Sequence, residues 1–439
     1  MNARTVATIV GTLMLAAAPG QLPRGQVWVT AWAGSLHGPY PSGNPVAQPV
    51  LDHVFDAQRG ATDQTFRLIV RPALWGPQVR LRFANTFGTQ PVMLDDLFVG
   101  LQSAGGTLVA GTNQRVSFSG KSAVTLPPGQ SVFSDPVALP FVAQGAPTGL
   151  DGRKLAVSFH VAGSTGPMTW HAKALQTSYV SGPGSGSHGA EESDAALPFT
   201  TTSWYFLDAI DVQGPQGTST IVCFGDSITD GTGSTLNGDD RWPDVFARRL
   251  HAAYGPRFTV VNAGIGGNRI TSPTPYDPKT PFAGGPPALD RLERDVLSLS
   301  GVSTIIWLEG INDLSSGTSA EAVIAGMKEG VQRIRARGAI RVIGATITPA
   351  LGATSAAGTP DVDARRKTVN AFIRSSGLFD GVADFDAVTR DAATGGLRGE
   401  FQPSSSIGGP GDALHPNRAG YLAMGNAVDL KLIAPAARK

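Results

Sequence analysis

The sequence predicts a chain of two parts: a β-sandwich or jelly-roll-like domain, followed by an α/β domain built on a parallel sheet. Up to about residue 211, short β-like runs are broken at close intervals by Pro, Gly, Asn and Ser, and no segment has a convincing helical period. After the Gly214–Gly217 break, apolar runs alternate instead with amphipathic segments. Alternation at this spacing predicts parallel strands whose sheet is covered by helices on both faces.

The predicted strands of the N-terminal part have alternating polarity or a high content of β-branched and aromatic residues. They are Phe66–Pro72, Val79–Phe83, Lys154–Val161 and Thr201–Leu207. We assign them to a domain spanning 26–211, which a linker at 212–218 joins to a second domain at 219–439. Because Ser181–Asp194 is rich in Gly and Ser, we expect a flexible excursion there.

The C-terminal part is predicted to alternate strands with longer helices. The predicted strands are Thr218–Phe224, Phe258–Asn262, Thr304–Leu308, Arg341–Ala345 and Val382–Phe385. The predicted helices are Asp240–Ala253, Ser319–Arg337, Asp361–Ser376 and a last one from about Asn417. In open parallel sheets, ligands bind at the carboxyl ends of the strands, so functional residues are expected directly after these strands.

Composition excludes several classes of function. The formal net charge is +1 and only 16% of the 439 residues are charged, so no electrostatic field attracts nucleic acid or an anionic membrane. Cys223 is the one cysteine of the chain and cannot form an internal disulfide. The Cys and His clusters of a zinc site are also absent from the sequence. We therefore expect no nucleic-acid partner and no metal, and we place Cys223 in the core.

Residues 1–20 are predicted to be a signal peptide. Arg4 precedes the apolar stretch Val6–Ala18, and small residues follow it. The stretch is shorter than the roughly 20 residues that a membrane span needs, and a buried N-terminal helix is the alternative. Because no later apolar run is long enough to anchor the chain, we expect a secreted or periplasmic protein without a stable membrane anchor.

The segment Ile221–Gly231, with the sequence IVCFGDSITDG, places a serine directly after a buried strand. Ser227 can act as a nucleophile there if a histidine and a set of N–H donors reach it. A helix-capping or turn serine is the alternative. The segment lacks the Gly-Lys-Ser/Thr of a phosphate-binding loop, and the chain has no G-x-S-x-G elbow.

The segment Asp412–His415 supplies a histidine with a carboxylate three residues before it. A carboxylate at this spacing can hydrogen-bond one ring nitrogen and present the other nitrogen to a hydroxyl. It also stabilises the imidazolium that forms when the serine proton moves. Asp384 and Asp386, at a predicted strand end, are alternatives for the carboxylate.

Two further segments follow predicted strands and offer hydrogen-bond donors. The glycines of Asn262–Asn268 (NAGIGGN) expose backbone N–H groups and allow unusual dihedral angles. In Gly310–Asp313, Asn312 can direct its amide at a developing oxyanion. Each segment alone is equally well explained as a tight turn. Four such segments after strands of one sheet are unlikely to coincide by chance.

Together, the GDSITDG, NAGIGGN, G-x-N-D and D-x-x-H segments resemble the four blocks of the GDSL/SGNH hydrolase family, in the family's order. The resemblance covers about 190 residues of the C-terminal half and leaves the N-terminal β domain uncovered. It implies a flavodoxin-like three-layer α/β/α fold and ester hydrolysis without metal or cofactor. It makes Ser227 the nucleophile, His415 the general base and then acid, and Asp412 the carboxylate that orients His415.

The same resemblance implies an oxyanion hole formed by the Ser227 N–H, a glycine N–H of the second block and the Asn312 amide. The spacing from Asn262 favours Gly267, and Gly264 and Gly266 remain alternatives. The whole chain looks similar to two-domain exported bacterial members of the family.

Asp226, Asn268 and Arg269 are the residues expected to contact substrate. Trp170 and His171 are expected at the interface between the domains, with a sugar platform as the alternative. The carboxyl edge of the predicted sheet has few long apolar segments that could cover it, which favours short acyl groups. We expect an exported serine esterase for small-molecule or polysaccharide esters, with acetylated carbohydrate as one substrate class. The alternatives are a lysophospholipase or acyl-lipid esterase and a non-catalytic carbohydrate-binding protein.

Overall fold

The computed structural model describes residues 25–56, 58–142 and 149–433. The predicted signal peptide at 1–20 lies outside the described residues. Within the described ranges, no helix combines the length and apolarity needed to cross a bilayer.

The N-terminal part consists of antiparallel strands, as its turn-rich sequence predicts. The strands are β1 Gln26–Ala33, β2 Gly38–Pro39, β3 Thr62–Val70, β4 Gln78–Ala84, β5 Val92–Ala104, β6 Thr107–Leu108, β7 Gln114–Arg115, β8 Ala123–Leu126, β9 Ser131–Phe133, β10 Val137–Ala138, β11 Leu155–Ser164, β12 Thr169–His171, β13 Ser178–Val180, β14 Phe199–Thr201, β15 Trp204–Tyr205 and β16 Leu207–Pro215.

Two larger sheets of this part share one hydrophobic core. The first has the order β1-β16-β4-β10, with β9 also pairing with β4; the second has the order β14-β13-β3-β11-β5-β6, with β7 and β8 also pairing with β5. Val29 and Leu81 of the first sheet and Phe66 and Phe159 of the second are fully buried in the same cluster. A small third sheet, β15-β12-β2, completes this part.

Three features of this part differ from the sequence prediction. The predicted strand Thr201–Leu207 is divided among three sheets, and Phe206, with a left-handed φ of 59°, turns the chain between β15 and β16. The predicted linker at 212–218 overlaps β16, whose Gly214 and Pro215 still pair with β1. The excursion Ser181–Asp194 is irregular but anchored, since the buried Arg67 guanidinium donates to carbonyls within it.

The C-terminal part is a parallel sheet of strands β17 Ser219–Gly225, β18 Phe258–Gly264, β19 Val302–Leu308, β20 Arg341–Ala345 and β21 Gly381–Ala383. Their spatial order is β18-β17-β19-β20-β21, and every pair is parallel. This is the doubly wound order 2-1-3-4-5, with β17 beside the switch point at which ligands bind in such sheets.

Helices cover both faces of this sheet. They are α1 Ser227–Asp230, α2 Trp242–Tyr254, α3 Ala288–Leu292, α4 Ile311–Ser315, α5 Ala320–Arg335, α6 Pro360–Ser375, α7 Phe385–Thr389 and α8 Arg418–Ala427. Short 3-10 turns lie at Gly255–Arg257, Ala356–Gly358, Gly399–Phe401 and Leu430–Leu432, and a π-helical turn at Glu293–Leu297 continues α3.

The apolar run of β17 has two buried faces because alternate side chains enter different cores. Val222 and Phe224 belong to the cluster that includes α5 and α6. Ile221 and Cys223 belong to the cluster that includes α2 and α8. A strand that is buried on both faces has a continuous run of apolar residues in its sequence. Cys223 is a core side chain, as predicted.

The predicted helices after the strands are present, with ends shifted by a few residues. α2 begins at Trp242 with Pro243 in its first turn, and the Ser319 side chain caps α5 by accepting the Ala322 N–H. α3 was missed because it is short and follows a Gly- and Pro-rich run. The last strand ends at Ala383, since Asp384 caps the next helix.

The two parts of the chain are joined by hydrogen bonds at the amino end of the parallel sheet. Thr30 of β1 donates its N–H to Oγ1 of Thr220 (3.1 Å) in β17. Its own Oγ1 accepts the N–H of Ser300 (2.9 Å), just before β19. Ser300 Oγ donates to Asp211 (2.7 Å) of β16. The opposite edge of the sheet carries the candidate site.

Candidate active site

The turn between β17 and α1 places Ser227 at the carboxyl edge of the sheet. β17 ends at Gly225, and Asp226 caps α1 by accepting the Ile228 N–H at 3.0 Å. Ser227 is therefore the first helical residue. Its side chain lies at the point where the central strand gives way to the helix.

Three side chains form a hydrogen-bonded relay at this edge. Ser227 Oγ lies 2.7 Å from Nε2 of His415, and Nδ1 of His415 lies 2.6 Å from Oδ2 of Asp412. The other carboxylate oxygen of Asp412 accepts the N–H groups of Leu414 (3.0 Å) and His415 (2.9 Å). Ala413 adopts a left-handed φ of 57°, which makes this tight turn possible.

The hydrogen bonds keep the Asp412 carboxylate ionised. Burial alone would raise its pKa, but the hydrogen bonds and charge of His415 outweigh burial and hold the pKa well below its usual value. An ionised carboxylate accepts from the Nδ1–H of His415, which leaves Nε2 free to accept the serine proton.

The alternative carboxylates are engaged elsewhere. Asp384 caps α7 and pairs with Arg374, whose guanidinium donates to both of its oxygens. Asp386 accepts from Arg366 at 2.6 Å and from Arg374 at 2.8 Å. The structure therefore brings only Asp412, of the three carboxylates considered, to the His415 ring.

The three candidate glycine N–H donors of the segment Asn262–Asn268 differ in their hydrogen-bond partners. The N–H of Gly264 donates to Oδ1 of Asn262 (2.9 Å), and that of Gly266 donates to Oδ2 of Asp230 (2.9 Å). No described residue accepts the N–H of Gly267, whose φ of 82° lies in the left-handed region. The N–H of Ser227 is likewise without an acceptor among the described residues.

Asn312 lies in the first turn of α4, after β19. One hydrogen of its Nδ2 is donated to the carbonyl of Asn268 at 2.9 Å, which leaves the second hydrogen available. The adjacent Asp313 carboxylate accepts the N–H of Ile270 at 2.9 Å. The segment Gly310–Asp313 thus holds the glycine segment Asn262–Asn268 and the residues after it in place.

Two of the residues predicted to contact substrate have buried side chains that contact protein groups. Asp226 is 1% exposed, and burial raises its pKa to about 7. Asn268 is 0% exposed: its amide donates to the carbonyls of Gly284 and Pro286, and its Oδ1 accepts from Arg291. Both side chains stabilise the loops below the site.

Arg269, the third predicted contact, is half-buried with its guanidinium 4.6 Å from the centre of the Phe282 ring. Contact between Arg269 and substrate stays a prediction.

His171 from the N-terminal part reaches α1, as its predicted place at the domain interface requires. Its Nδ1 faces the carbonyl of Ser35 at 2.7 Å, and its Nε2 faces Oδ1 of Asp230 at 3.1 Å. The interactions with His171 and Lys173 outweigh the effect of burial and lower the pKa of Asp230.

Two further residues of the N-terminal part reach the site and were missed from sequence. Lys173 donates its Nζ to Oγ1 of Thr232 at 2.6 Å, and Asn44 donates its Nδ2 to the carbonyl of Gly266 at 2.9 Å. Burial lowers the pKa of Lys173 despite nearby carboxylates. Neither residue belongs to a recognisable motif, so their contribution depends on how the two parts pack.

The described residues contain no group of three or more His, Cys, Asp or Glu side chains placed to bind a metal ion. The chemistry available to the described side chains at this edge is a hydroxyl, an imidazole–carboxylate pair and a set of N–H donors.

The model of the GDSL-like lipase/acylhydrolase family matches residues 223–423. The curated proteins contain no match to the chain. Among solved structures, the chain is similar to a carbohydrate acetylesterase from Sinorhizobium meliloti, at 14% identity and a TM-score of 0.36, covering 48% of this chain and 96% of that one.

It is also similar to an aryl esterase from M. smegmatis, at 19% identity and a TM-score of 0.35, covering 48% of this chain and 96% of that one. A member of the lipolytic G-D-S-L family from Veillonella parvula has 19% identity and a TM-score of 0.34, with the same coverage of 48% and 96%. On the family match, residues 223–423 form a GDSL-like lipase/acylhydrolase domain, and the protein is a carboxylic ester hydrolase.

Proposed function

We propose that the protein is an exported serine esterase that hydrolyses short-chain carboxylic esters through an acyl-serine intermediate. The observation that carries the proposal is the 2.7 Å approach of Ser227 Oγ to Nε2 of His415, whose other nitrogen faces Asp412. A hydroxyl, a base and an orienting carboxylate in this order are the parts of a nucleophilic triad.

In the first half of the reaction, Ser227 Oγ attacks the ester carbonyl while Nε2 of His415 takes its proton. The tetrahedral oxyanion is stabilised by the N–H groups of Ser227 and Gly267 and by the free Nδ2 hydrogen of Asn312. Collapse of this intermediate breaks the bond to the alcohol, which leaves with the proton from His415.

In the second half, water replaces the alcohol. His415 takes a proton from water as the water oxygen attacks the acyl-serine carbonyl, and the same donors stabilise the second oxyanion. His415 then returns the proton to Ser227 Oγ, the carboxylic acid is released, and the enzyme regains its initial state. Asp412 stabilises the imidazolium in both halves.

The surroundings of the site favour a small acyl group on a polar alcohol. Among the side chains that reach the glycine segment and the turn after α1 are those of Asn44 and Lys173, both polar. A long alkyl chain needs a continuous apolar lining. We therefore propose acetyl and other short-chain esters, with acetylated carbohydrate as the substrate class, in preference to lysophospholipids or other acyl lipids.

The remaining parts of the proposal follow the sequence. We propose that residues 1–20 direct export, so that the enzyme acts outside the cytoplasm without a membrane anchor and without a nucleic-acid partner. We further propose that the N-terminal part is a β-sandwich of jelly-roll type. The core shared by its two sheets supports this arrangement.

Turnover of p-nitrophenyl acetate by the wild type and by Ser227→Ala tests the proposal. We expect the substitution to abolish turnover, while Ser234→Ala, a buried serine seven positions later, leaves it unchanged. Equal rates for wild type and Ser227→Ala would overturn the mechanism, and a wild type inactive on every ester would favour a carbohydrate-binding protein. A series of acyl lengths, with acetate release from acetylated glycans, tests the substrate class.

A further inference from the structure

We propose that Asn44, a residue of the N-terminal part, is a positioning residue for the oxyanion hole. Its side-chain amide holds the peptide group that carries the Gly267 N–H. The inference rests on the proposed function, because it assigns a role to Asn44 in the stabilisation of the same oxyanion. It also gives the N-terminal part a function in the reaction.

The hydrogen bond of Asn44 fixes the direction of one peptide plane. Asn44 Nδ2 donates to the carbonyl oxygen of Gly266 at 2.9 Å. That carbonyl and the N–H of Gly267 belong to the same planar trans peptide, so they point in opposite directions. When Asn44 holds the carbonyl on its own side, the Gly267 N–H is directed away from Asn44.

This peptide is free to adopt two orientations unless something outside the loop selects one. The N–H of Asn268 donates to the carbonyl of Ile265 at 3.1 Å, which makes 265–268 a β-turn with Gly266 and Gly267 at its centre. Turns of types I and II keep this bond while their central peptide points in opposite directions. Two glycines allow either orientation at little steric cost.

The observed turn is of the type that Asn44 favours. Gly267 has a φ of 82°, the value of the third residue of a type II turn. Rotation of the central peptide to the type I orientation would turn the Gly266 carbonyl away from Asn44 and reverse the Gly267 N–H. The loss of the Asn44 hydrogen bond therefore removes a preference for the orientation that serves the oxyanion.

The preceding peptide of the loop is also held by a side chain. The N–H of Gly266 donates to Asp230 Oδ2, and the other oxygen of Asp230 faces His171 of the N-terminal part. The two hydrogen bonds act on successive peptides of the loop. Asp230 holds the N–H of Gly266 at the start of the turn. Asn44 holds the carbonyl of Gly266 and so sets the orientation of the central peptide.

Asn44 is well placed for a test because it is an exposed loop residue outside the hydrophobic cores. Its neighbour Ser42 provides a matched control. Ser42 Oγ donates to the carbonyl of Pro281 at 3.2 Å, which is also a hydrogen bond from the N-terminal part to a loop of the hydrolase domain. Pro281 is not part of the 265–268 turn.

The experiment measures turnover of p-nitrophenyl acetate and thermal unfolding for the full chain and for Asn44→Ala, Asn44→Asp and Ser42→Ala. Loss of a whole oxyanion donor costs about 10²–10³ in kcat, so partial misorientation should lower kcat about tenfold to a hundredfold in Asn44→Ala. KM should change by less than about twofold. Asn44→Asp, which presents an acceptor to the carbonyl, should lose at least as much.

A second readout separates positioning from general loosening of the structure. A trifluoromethyl ketone forms a hemiketal with the serine, whose oxyanion occupies the same hole. Its affinity should weaken in Asn44→Ala by a factor similar to the loss in kcat/KM, as expected for a transition-state analogue. Ser42→Ala should keep the wild-type kcat and inhibitor affinity, and no variant should change Tm by more than about 4 °C.

Full Ser227-dependent kcat in Asn44→Ala would overturn the inference alone. A raised KM with unchanged kcat would do the same, because it would make Asn44 a substrate contact. An equal loss in Ser42→Ala would overturn it as well, by showing that any contact in this loop has the same effect. Failure of the proposed function has a different signature. Wild type and Ser227→Ala would then turn over at the same rate, and the inference would fail with it.

Discussion

Ser227 Oγ and His415 Nε2 lie 2.7 Å apart although 188 positions separate the two residues. The fold enforces this approach from both sides. β17 delivers Ser227 to the carboxyl edge of the sheet, and α8 begins at Arg418, directly after the turn that carries His415. Tyr421 of α8 donates its hydroxyl to the carbonyl of Thr232 at 2.6 Å, which ties the last helix to the segment after α1.

Asp412→Asn should lower kcat on p-nitrophenyl acetate strongly while the fold is kept. An asparagine of the same shape can donate to Nδ1 of His415, which favours the wrong tautomer and removes the charge that stabilises the imidazolium. In serine proteases this change costs about 10⁴ in kcat. Steady-state kinetics and circular dichroism check the prediction. A loss of less than about tenfold would show that Asp412 does not orient His415.

Asn312→Ala should lower kcat by about 10²–10³, because it removes one of the three donors to the oxyanion. KM should change little, since a ground-state carbonyl uses this donor less than the oxyanion does. Kinetics with p-nitrophenyl acetate give both parameters. The variant also loses a hydrogen bond to Asn268, so the trifluoromethyl ketone should bind more weakly as a second readout. Unchanged inhibitor affinity would contradict an oxyanion role.

His171→Phe should destabilise the protein by about 1–3 kcal/mol, because it removes the hydrogen-bond partner of one buried carboxylate oxygen of Asp230. Phenylalanine keeps an aromatic ring against Trp204, on which His171 is stacked at 5.5 Å between ring centres. Urea unfolding measures the change. The control is His188→Ala, which removes an exposed pair with Glu191 and should cost about 1 kcal/mol or less. Equal losses would contradict a stabilising buried contact between His171 and Asp230.

Glu309→Gln should reduce the pH dependence of stability between about pH 5 and pH 8. Burial raises the pKa of Glu309 from 4.5 to about 8, with the nearby Arg291 opposing the shift. Between these values the folded protein keeps a proton that the unfolded chain has released. The contribution of Glu309 to the free energy of unfolding should therefore be largest below about pH 4.5 and fall as the pH rises towards 8. Glutamine does not titrate, so the variant lacks this fall.

The measurement is urea unfolding of the wild type and Glu309→Gln at several pH values from 5 to 8. The difference between the two free energies should change by on the order of 3 kcal/mol in favour of the variant as the pH rises. Parallel curves would show that the Glu309 carboxyl ionises equally in both states.

Local patterns in the sequence were sufficient to predict the sheet and the ordered segments of the site. The run Ile221–Phe224 predicts a doubly buried strand, and a serine directly after it has to lie at the carboxyl edge. The spacing of Asp412 and His415 likewise sets up a contact within a single turn. Predictions of this kind depend on residues close together in the chain.

The errors concern interactions between distant residues. Asn268 is predicted to contact substrate because it follows the glycine segment, whereas the sequence does not indicate that its amide donates to the carbonyls of Gly284 and Pro286. Asn44 was missed for the converse reason, since its partner Gly266 is 222 positions away. The break at Phe206 depends on a left-handed φ that its residue type does not predict.

The hydrogen bond from Asn44 to Gly266 limits how freely this hydrolase domain can be recombined with other domains. A graft of the domain onto an unrelated scaffold would transfer the nucleophile and its base, but not the donor that selects the loop conformation. A functional chimera would need a substitute donor at the same place. Evolutionary exchange of the N-terminal part is then subject to selection on catalysis as well as on folding.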